Sequence, residues 1–294
     1  MITKDMEVQT LAESLIYEIV KSLALPQTDT VKKIIRLIFG KTARLTAEIG
    51  LGLDRVIAEH GLAAGANWLL PRFVKSHRVR GAEIIPPSGP LVIASNHPAA
   101  VDSILISANV PRPDYKILAG NIPFFKNLPH ASKHAIYTPY ITDIAGRMQS
   151  VRESIRHLAE GGALLIFPRG SIEADPEFMP HPDDEFHHWS RSLEIFLQRV
   201  PQLQILITIT SGVIARSAMR HPITWLRRAR QDRQRLAFIY QMARQILTNR
   251  ELFGLTPRVT FGELIEGNSR EHFLAEIEQA ARRTLNQHMA WANV

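Results

Sequence analysis

Short, predominantly apolar segments recur from residue 91 onward, and they constrain the fold more than any other feature of the chain. They span residues 91–94, 115–118, 135–137, 163–167 and 205–209, and a weaker alternating segment spans residues 259–265. A short apolar run without alternation is typical of a strand buried on both faces of a sheet. Helical patterns separate these runs, for example over residues 148–158 and 189–200. The alternation predicts an α/β fold with a mixed, largely parallel central sheet flanked by helices.

The first 75 residues follow a different pattern, in which apolar side chains recur at helical spacing. Leu11, Leu15 and Ile19 lie on one face of such a helix, and Pro71 lies near the point where period-two patterning begins. We therefore predict a helical N-terminal segment over residues 1–75 and an α/β domain over residues 76–267. Residues 268–294 are predicted to carry a C-terminal helix that starts near Arg270.

The composition excludes several kinds of site. The 294 residues include no cysteine, so disulfides, cysteine-based zinc sites and thiolate nucleophiles are excluded. The formal net charge of +7 favours an anionic partner, such as nucleic acid, a membrane surface or a phosphorylated metabolite. No apolar run reaches the roughly 18 residues needed to cross a bilayer. The first ten residues lack the apolar block of a signal peptide, so we expect a cytoplasmic protein.

One histidine follows the first of the buried strands directly. The strand over residues 91–94 runs into Asn96 and His97, and Asp102 follows five positions after the histidine. Open α/β sheets bind ligands at the carboxyl edge of their strands. If a helix follows the turn, this spacing brings the carboxylate beside the imidazole, where it fixes the tautomer and leaves the other ring nitrogen free as a base. The alternative is that Asp102 only caps the helix and His97 has no catalytic role.

The segment NHPAAVDS resembles the first signature block of the glycerolipid acyltransferase family, in which Asn-His, four residues and Asp follow a buried strand. Three later segments resemble the family's further blocks in the same order: LAGNIPFFKNLPHASKHAIY, ALLIFPRGSIE and ILITITSGV. The similarity spans residues 79–213, and several blocks in order are more specific than any single one. It implies that residues 76–267 form the catalytic domain of an O-acyltransferase.

The resemblance also implies a reaction and a set of site residues. A fatty acyl group would move from acyl-CoA or acyl carrier protein to the hydroxyl of a lysophospholipid or glycerol-phosphate-type acceptor, as in phospholipid biosynthesis. His97 would be the general base and Asp102 its partner, and no metal ion or other cofactor is expected. Four residues are expected to bind the substrate and its phosphate: Asn96, Arg169, Gly170 and Ser171. Glycine permits close backbone approach, and arginine bonds phosphate oxygens in a fork.

The third block departs from the pattern that is usual for enzymes with a phosphorylated acceptor. Arg169 stands where glutamate is usual, and Ile172 stands where the family's phosphate-binding arginine is usual. Acyl transfer survives this change, but the acceptor's identity is left open, so another lysolipid or an amino-acid-containing lipid is the alternative. The rival from another class is a catalytically silent protein that binds a membrane surface or nucleic acid. The presence of both His97 and Asp102 argues against a protein without catalytic activity.

A basic stretch between residues 216 and 235 contains seven arginines and one acid. It predicts an interfacial helix that places Trp225 among lipid headgroups and Arg227, Arg228 and Arg230 on anionic lipid. A solvated or internally paired helix is the alternative. The sequence contains no nucleic-acid-binding motif, so we expect a membrane lipid surface as partner and no nucleic acid. The predicted location is cytoplasmic with peripheral membrane attachment, and the sequence predicts no oligomeric state.

Overall fold

A computed structural model describes residues 2–22, 25–139, 143–189, 192–266 and 273–292. Within these ranges the chain forms seven strands: β1 (Arg78–Arg80), β2 (Leu91–Ser95), β3 (Tyr115–Gly120), β4 (Ala135–Thr138), β5 (Ala163–Ile166), β6 (Gln204–Ser211) and β7 (Arg258–Glu266). They make one sheet in the order β1-β7-β6-β2-β5-β3-β4. Every neighbouring pair is parallel except β6 and β7, which are antiparallel. The predicted α/β class is confirmed.

Ten α-helices surround this sheet in the described part of the chain. They are α1 (Ile2–Ser22), α2 (Asp29–His60), α3 (Leu62–Leu69), α4 (Val101–Ser107), α5 (Pro123–Lys126), α6 (Ile144–Ala159), α7 (Ser192–Arg199), α8 (Arg216–Met219), α9 (Arg230–Thr248) and α10 (Phe273–Ala292). Helices lie between successive parallel strands, as crossover connections require. The predicted start of the last helix at Arg270 and the predicted boundary after residue 267 lie outside the described residues.

The position of strand β2 in the sheet explains why apolar and polar residues do not alternate in its sequence. Leu91 and Ile93 point into a core layer that helices α4 and α9 cover, and Val92 and Ala94 point into the opposite layer under α6, α7 and α10. All four side chains are completely buried. Both faces of this central strand therefore need apolar residues, since each face packs against helices.

The N-terminal segment is a pair of long helices that packs beside the sheet domain. Thr28 caps the start of α2 by accepting a hydrogen bond from the Val31 backbone N–H, and Gly61, at φ +84°, ends it. Buried Asp54 of α2 accepts hydrogen bonds from the backbone N–H groups of His130 and Ala131, at 2.8 and 2.7 Å, so it ties α2 to the loop before β4. Among the described helices, none combines the length and apolar character that a membrane span requires.

Candidate active site

The candidate site lies at the carboxyl end of β2, in the middle of the sheet. β2 pairs with β5 on one side and with β6 on the other, and all three strands end at the same edge. The loop that leaves β2 carries His97, and α4 begins four residues later at Val101. The structure therefore places His97 between a buried strand and a helix, as predicted.

His97 and Asp102 form a hydrogen-bonded pair. The ring atom Nδ1 lies 3.1 and 3.0 Å from the two carboxylate oxygens of Asp102. Asp102 is fully buried and also accepts hydrogen bonds from the backbone N–H groups of Ala99 and Ser103, at 3.0 and 2.6 Å. These backbone donors orient the carboxyl group towards the ring, so that Nδ1–H is the donor and Nε2 is left to accept a proton. No described residue bonds Nε2, and the His97 side chain is 25% exposed.

The surroundings of the imidazole set its orientation and its pKa. The ring stacks on Phe167, which follows β5, with centroids 4.1 Å apart and planes 25° from parallel. Burial lowers the pKa of His97, but the carboxylates of Asp102 and Glu173 outweigh it, against opposition from Arg235, and the net pKa is raised above 6.5. The pair therefore stabilises the imidazolium that forms when His97 takes a proton.

Glu173 is a buried acid that the sequence arguments missed. Its Oε2 accepts a hydrogen bond from the His97 backbone N–H at 2.8 Å, and its own N–H donates to the His97 carbonyl at 2.8 Å. Its Oε1 accepts from the Trp189 indole at 2.9 Å. Burial raises the pKa of Glu173 to about 7. The signal available in the sequence was the glutamate that ends ALLIFPRGSIE, because this segment begins with β5, which is parallel to β2 and ends at the same edge of the sheet.

Asn96 has a different role from the predicted one. Its side chain is 2% exposed and binds Thr210 of β6 instead of facing a substrate. Nδ2 donates to the Thr210 carbonyl at 2.9 Å, and Oδ1 accepts from the Thr210 N–H at 2.8 Å and from its hydroxyl at 3.2 Å. Asn96 therefore locks the histidine loop to the neighbouring strand, and the prediction that it binds substrate is corrected.

Helix α9 braces the site from outside the predicted blocks. The fully buried Gln234 donates from Nε2 to the carbonyls of Pro98 and Glu173, at 2.7 Å each. It therefore joins the loop after β2 to the loop after β5. Because Gln234 lies 136 residues beyond Pro98, no local pattern in the sequence pointed to this contact.

The Arg169–Gly170–Ser171 turn lies where the resemblance placed it, beyond β5. Gly170 has φ +70°, a value that favours glycine, and its N–H donates to the Phe167 carbonyl at 2.9 Å. Arg169 donates from Nη1 to the Ser171 hydroxyl at 2.8 Å and pairs through Nε with Glu185. Its side chain is 23% exposed, so it is an anchored cation and not a loop arginine in free solvent.

The basic stretch is not the single interfacial helix that was predicted. It divides into α8, a 3₁₀ turn (Pro222–Leu226) and the first turns of α9. Trp225 is 70% exposed, and Arg227 and Arg228 are also exposed. Arg230 differs from these residues, because it pairs with Glu185 beside Arg169. Arg230 therefore belongs to the edge of the candidate active site, and its pairing agrees with the internally paired alternative for this residue.

Comparison with known proteins agrees with the geometry of this edge. Residues 76–192 match the family model described as Acyltransferase. The resemblance found in the sequence is thus confirmed, and the His97–Asp102 pair lies inside the matched acyltransferase segment.

The structure of the chain is also similar to that of the 1-acyl-sn-glycerophosphate (LPA) acyltransferase PlsC from Thermotoga maritima. The TM-score is 0.46 and the identity 14%, with 96% of this chain and 97% of that chain covered. Among curated proteins, none has a sequence that matches this chain. In the described residues of the chain, no group of three or more histidine, aspartate or glutamate side chains is arranged to hold a metal ion.

Proposed function

We propose that the chain is an O-acyltransferase that moves a fatty acyl group from acyl-CoA or acyl carrier protein to a hydroxyl of a lysophospholipid or glycerol-phosphate-type acceptor. The observation that carries the proposal is the His97–Asp102 pair at the sheet edge of an acyltransferase domain. Nδ1 is hydrogen-bonded to a buried carboxylate, no described residue bonds Nε2, and the His97 side chain is 25% exposed. This is the arrangement of a general base whose tautomer is fixed.

The proposed reaction needs one base and two bound substrates. His97 Nε2 takes the proton of the acceptor hydroxyl as its oxygen attacks the thioester carbonyl. When the tetrahedral intermediate collapses, the carbon–sulfur bond breaks and the thiolate takes the proton from Nε2, so the products are an ester and a free thiol. A positioned base contributes about 100-fold to 10,000-fold, roughly 3 to 5 kcal/mol of the barrier. Neither an acyl-enzyme nor a metal ion or other cofactor has a part in this mechanism.

We also propose that the protein works at a membrane surface, since acceptors of this class are lipids. Trp225, Leu226, Arg227 and Arg228 are consecutive and exposed, and we call them the Trp225 patch. The Trp225 and Leu226 residues are 70% and 74% exposed. Exposed apolar side chains beside arginines suit the interface of a bilayer with anionic lipid.

The experiment that tests the proposed function is a search for the product. Purified protein is incubated with labelled acyl-CoA or acyl carrier protein and a panel of lysolipids that includes lysophosphatidate and an amino-acid-containing lysolipid. We expect a new ester with at least one acceptor, identified by mass spectrometry, and the panel distinguishes the alternative acceptors. If no acceptor yields an ester with either donor, while the protein binds vesicles or nucleic acid, the catalytically silent alternative is correct.

A further inference from the structure

Three charged side chains form a cluster at the edge of the candidate site. One oxygen of Glu185 accepts from Arg169 Nε and the other accepts from Arg230 Nη2. Arg169 comes from the turn after β5, Arg230 from the first turn of α9, and Glu185 from the 3₁₀ helix Pro182–His188. Two positive charges therefore share one negative charge, and the cluster keeps a formal charge of +1.

From this geometry we infer that Glu185 is a built-in carboxylate occupying an anion site made by Arg169 and Arg230, and that a substrate phosphate displaces it. The identity of the phosphate carrier depends on the proposed function, whereas the binding of phosphate does not. The site is new relative to the resemblance, which offered Arg169 as its single cation, since Ile172 stands where the family's phosphate-binding arginine is usual.

The two arginines are oriented before any ligand arrives. Arg169 Nη1 donates to Ser171 Oγ at 2.8 Å, and Arg230 Nη1 donates to Gln234 Oε1 at 2.6 Å. Each guanidinium still directs another nitrogen at the position of the Glu185 carboxylate. Arginine forks match phosphate as well as they match carboxylate, because both present oxygens at similar spacing. A phosphate at that position would thus meet donors that are already held in place.

The position of the cluster connects it to the chemistry. Gln234, which holds Arg230, also bonds the carbonyl of Pro98, the residue after His97. Phe167, two residues before Arg169, is the ring on which His97 stacks. An anion bound between the arginines would therefore lie beside the loop that carries the base. A phosphate bound there would hold the hydroxyl or thioester of the same substrate near His97.

The charges favour a ligand more negative than one carboxylate. Burial lowers the pKa of Arg230; Glu185 raises it, and the neighbouring charge of Arg169 lowers it again. A phosphate monoester carries about −1.5 to −2 charge near neutral pH, so it can balance two guanidinium groups better than Glu185 does. Only the glutamate side chain has to rotate, because Phe186 and Trp189 are 2% and 5% exposed and anchor this segment in the core.

The cluster is also accessible, as an exchange of anions requires. The side chains of Arg169, Arg230 and Glu185 are 23%, 32% and 13% exposed, so they lie at the surface of the site and not in the core. An incoming phosphate can therefore form contacts with the arginines as Glu185 leaves for solvent, and no bare charge has to be buried at an intermediate stage.

Titration with inorganic phosphate tests the inference without any need for turnover. The variants are Glu185→Gln and Arg230→Gln, and calorimetry gives the Kd of each. Glu185→Gln should tighten phosphate binding by about tenfold, because the internal competitor is lost, and Arg230→Gln should weaken it by a similar factor. Asp184→Asn removes a charge from the same 3₁₀ helix at an exposed position, and Arg220→Gln removes an exposed arginine, so both controls should bind as the wild type does.

Arg230→Gln leaves Glu185 with one partner fewer and could weaken phosphate binding through misfolding alone. A double variant separates this effect from the loss of the arginine. Arg230→Gln combined with Glu185→Gln restores the charge of the cluster to +1 and should still bind phosphate more weakly than Glu185→Gln alone. Equal Kd values for the wild type and Glu185→Gln, or weaker binding by Glu185→Gln, would overturn the inference.

Kinetic measurements then show which substrate brings the phosphate. Glu185→Gln should lower the KM for lysophosphatidate if the acceptor phosphate binds here, and the KM for acyl-CoA if the donor phosphate does. No change in either KM would overturn the role of the cluster in substrate binding. If the wild type makes no ester at all, the proposed function fails, and the phosphate titration still decides whether the anion site exists.

Discussion

Replacing Glu173 by glutamine tests the electrostatics that surround His97. Glu173 is 1% exposed, and burial raises its pKa from 4.5 to about 7. Below about pH 4.5 the carboxyl group holds its proton in both the folded and the unfolded chain. Between pH 4.5 and 7 the unfolded chain has released the proton and the folded chain still holds it. Folding stability therefore falls as the pH rises through this window, by about 3 kcal/mol in total.

Glutamine removes this pH dependence, because it has nearly the same shape and no ionisable proton. Its single oxygen can accept from either the His97 N–H or the Trp189 indole, so one hydrogen bond is lost at every pH, at a cost of about 1 to 3 kcal/mol. The free energy of unfolding of Glu173→Gln, relative to the wild type, should therefore increase by about 3 kcal/mol from pH 4.5 to pH 8.

Urea denaturation at a series of pH values measures this difference directly. Glu160→Gln, at an exposed position after α6, is the matched control and should show no such trend. Since Glu173 also raises the pKa of His97, the acid limb of kcat/KM should move to lower pH in Glu173→Gln. A stability difference that stays constant within about 1 kcal/mol between pH 4.5 and 8 would refute the description of Glu173 as a buried acid with a raised pKa.

Asp102→Asn should lower kcat by about 100-fold or more, because an amide cannot hold the His97 tautomer; wild-type kcat in a purified variant would contradict this. Asn96→Ala should lower the free energy of unfolding by about 2 to 4 kcal/mol through three lost hydrogen bonds to Thr210, as urea denaturation would show; a loss below about 0.5 kcal/mol would exclude the locking role. Arg227→Glu with Arg228→Glu should weaken binding to anionic vesicles at low salt by at least about 30-fold in a flotation assay, and the control Arg199→Glu, at an exposed position, should bind as the wild type does; equal binding by the double variant would place membrane contact elsewhere.

The strands were predictable because their signal is local. A strand that is buried on both faces must be apolar at every position, so Leu91–Ser95 and Ala163–Ile166 stand out from the sequence without knowledge of their neighbours. The pairing of His97 with Asp102 was predictable for the same reason. A spacing of five residues brings the two side chains within reach of each other once a helix follows the turn.

The rest of the site depends on tertiary packing, and no local pattern encodes it. Arg230 belongs to a run of arginines, and composition does not show that this one turns inward to Glu185 while Arg228 stays exposed. Asn96 is similar, because an amide beside a catalytic histidine can face a substrate or the next strand. Only the pairing of β2 with β6 shows that it bonds Thr210.

The measurement that tests general-base catalysis most directly is acyl transfer by His97→Gln. The assay uses the acceptor on which the wild type forms an ester, and it compares the wild type with His97→Gln and with the control His60→Gln. The His60 side chain lies at the end of α2 and is 66% exposed. The predicted result is a loss of at least about 100-fold in kcat for His97→Gln at unchanged thermal stability, with His60→Gln equal to the wild type. A folded His97→Gln protein that retains more than about a tenth of the wild-type rate would contradict the role of His97 as the base.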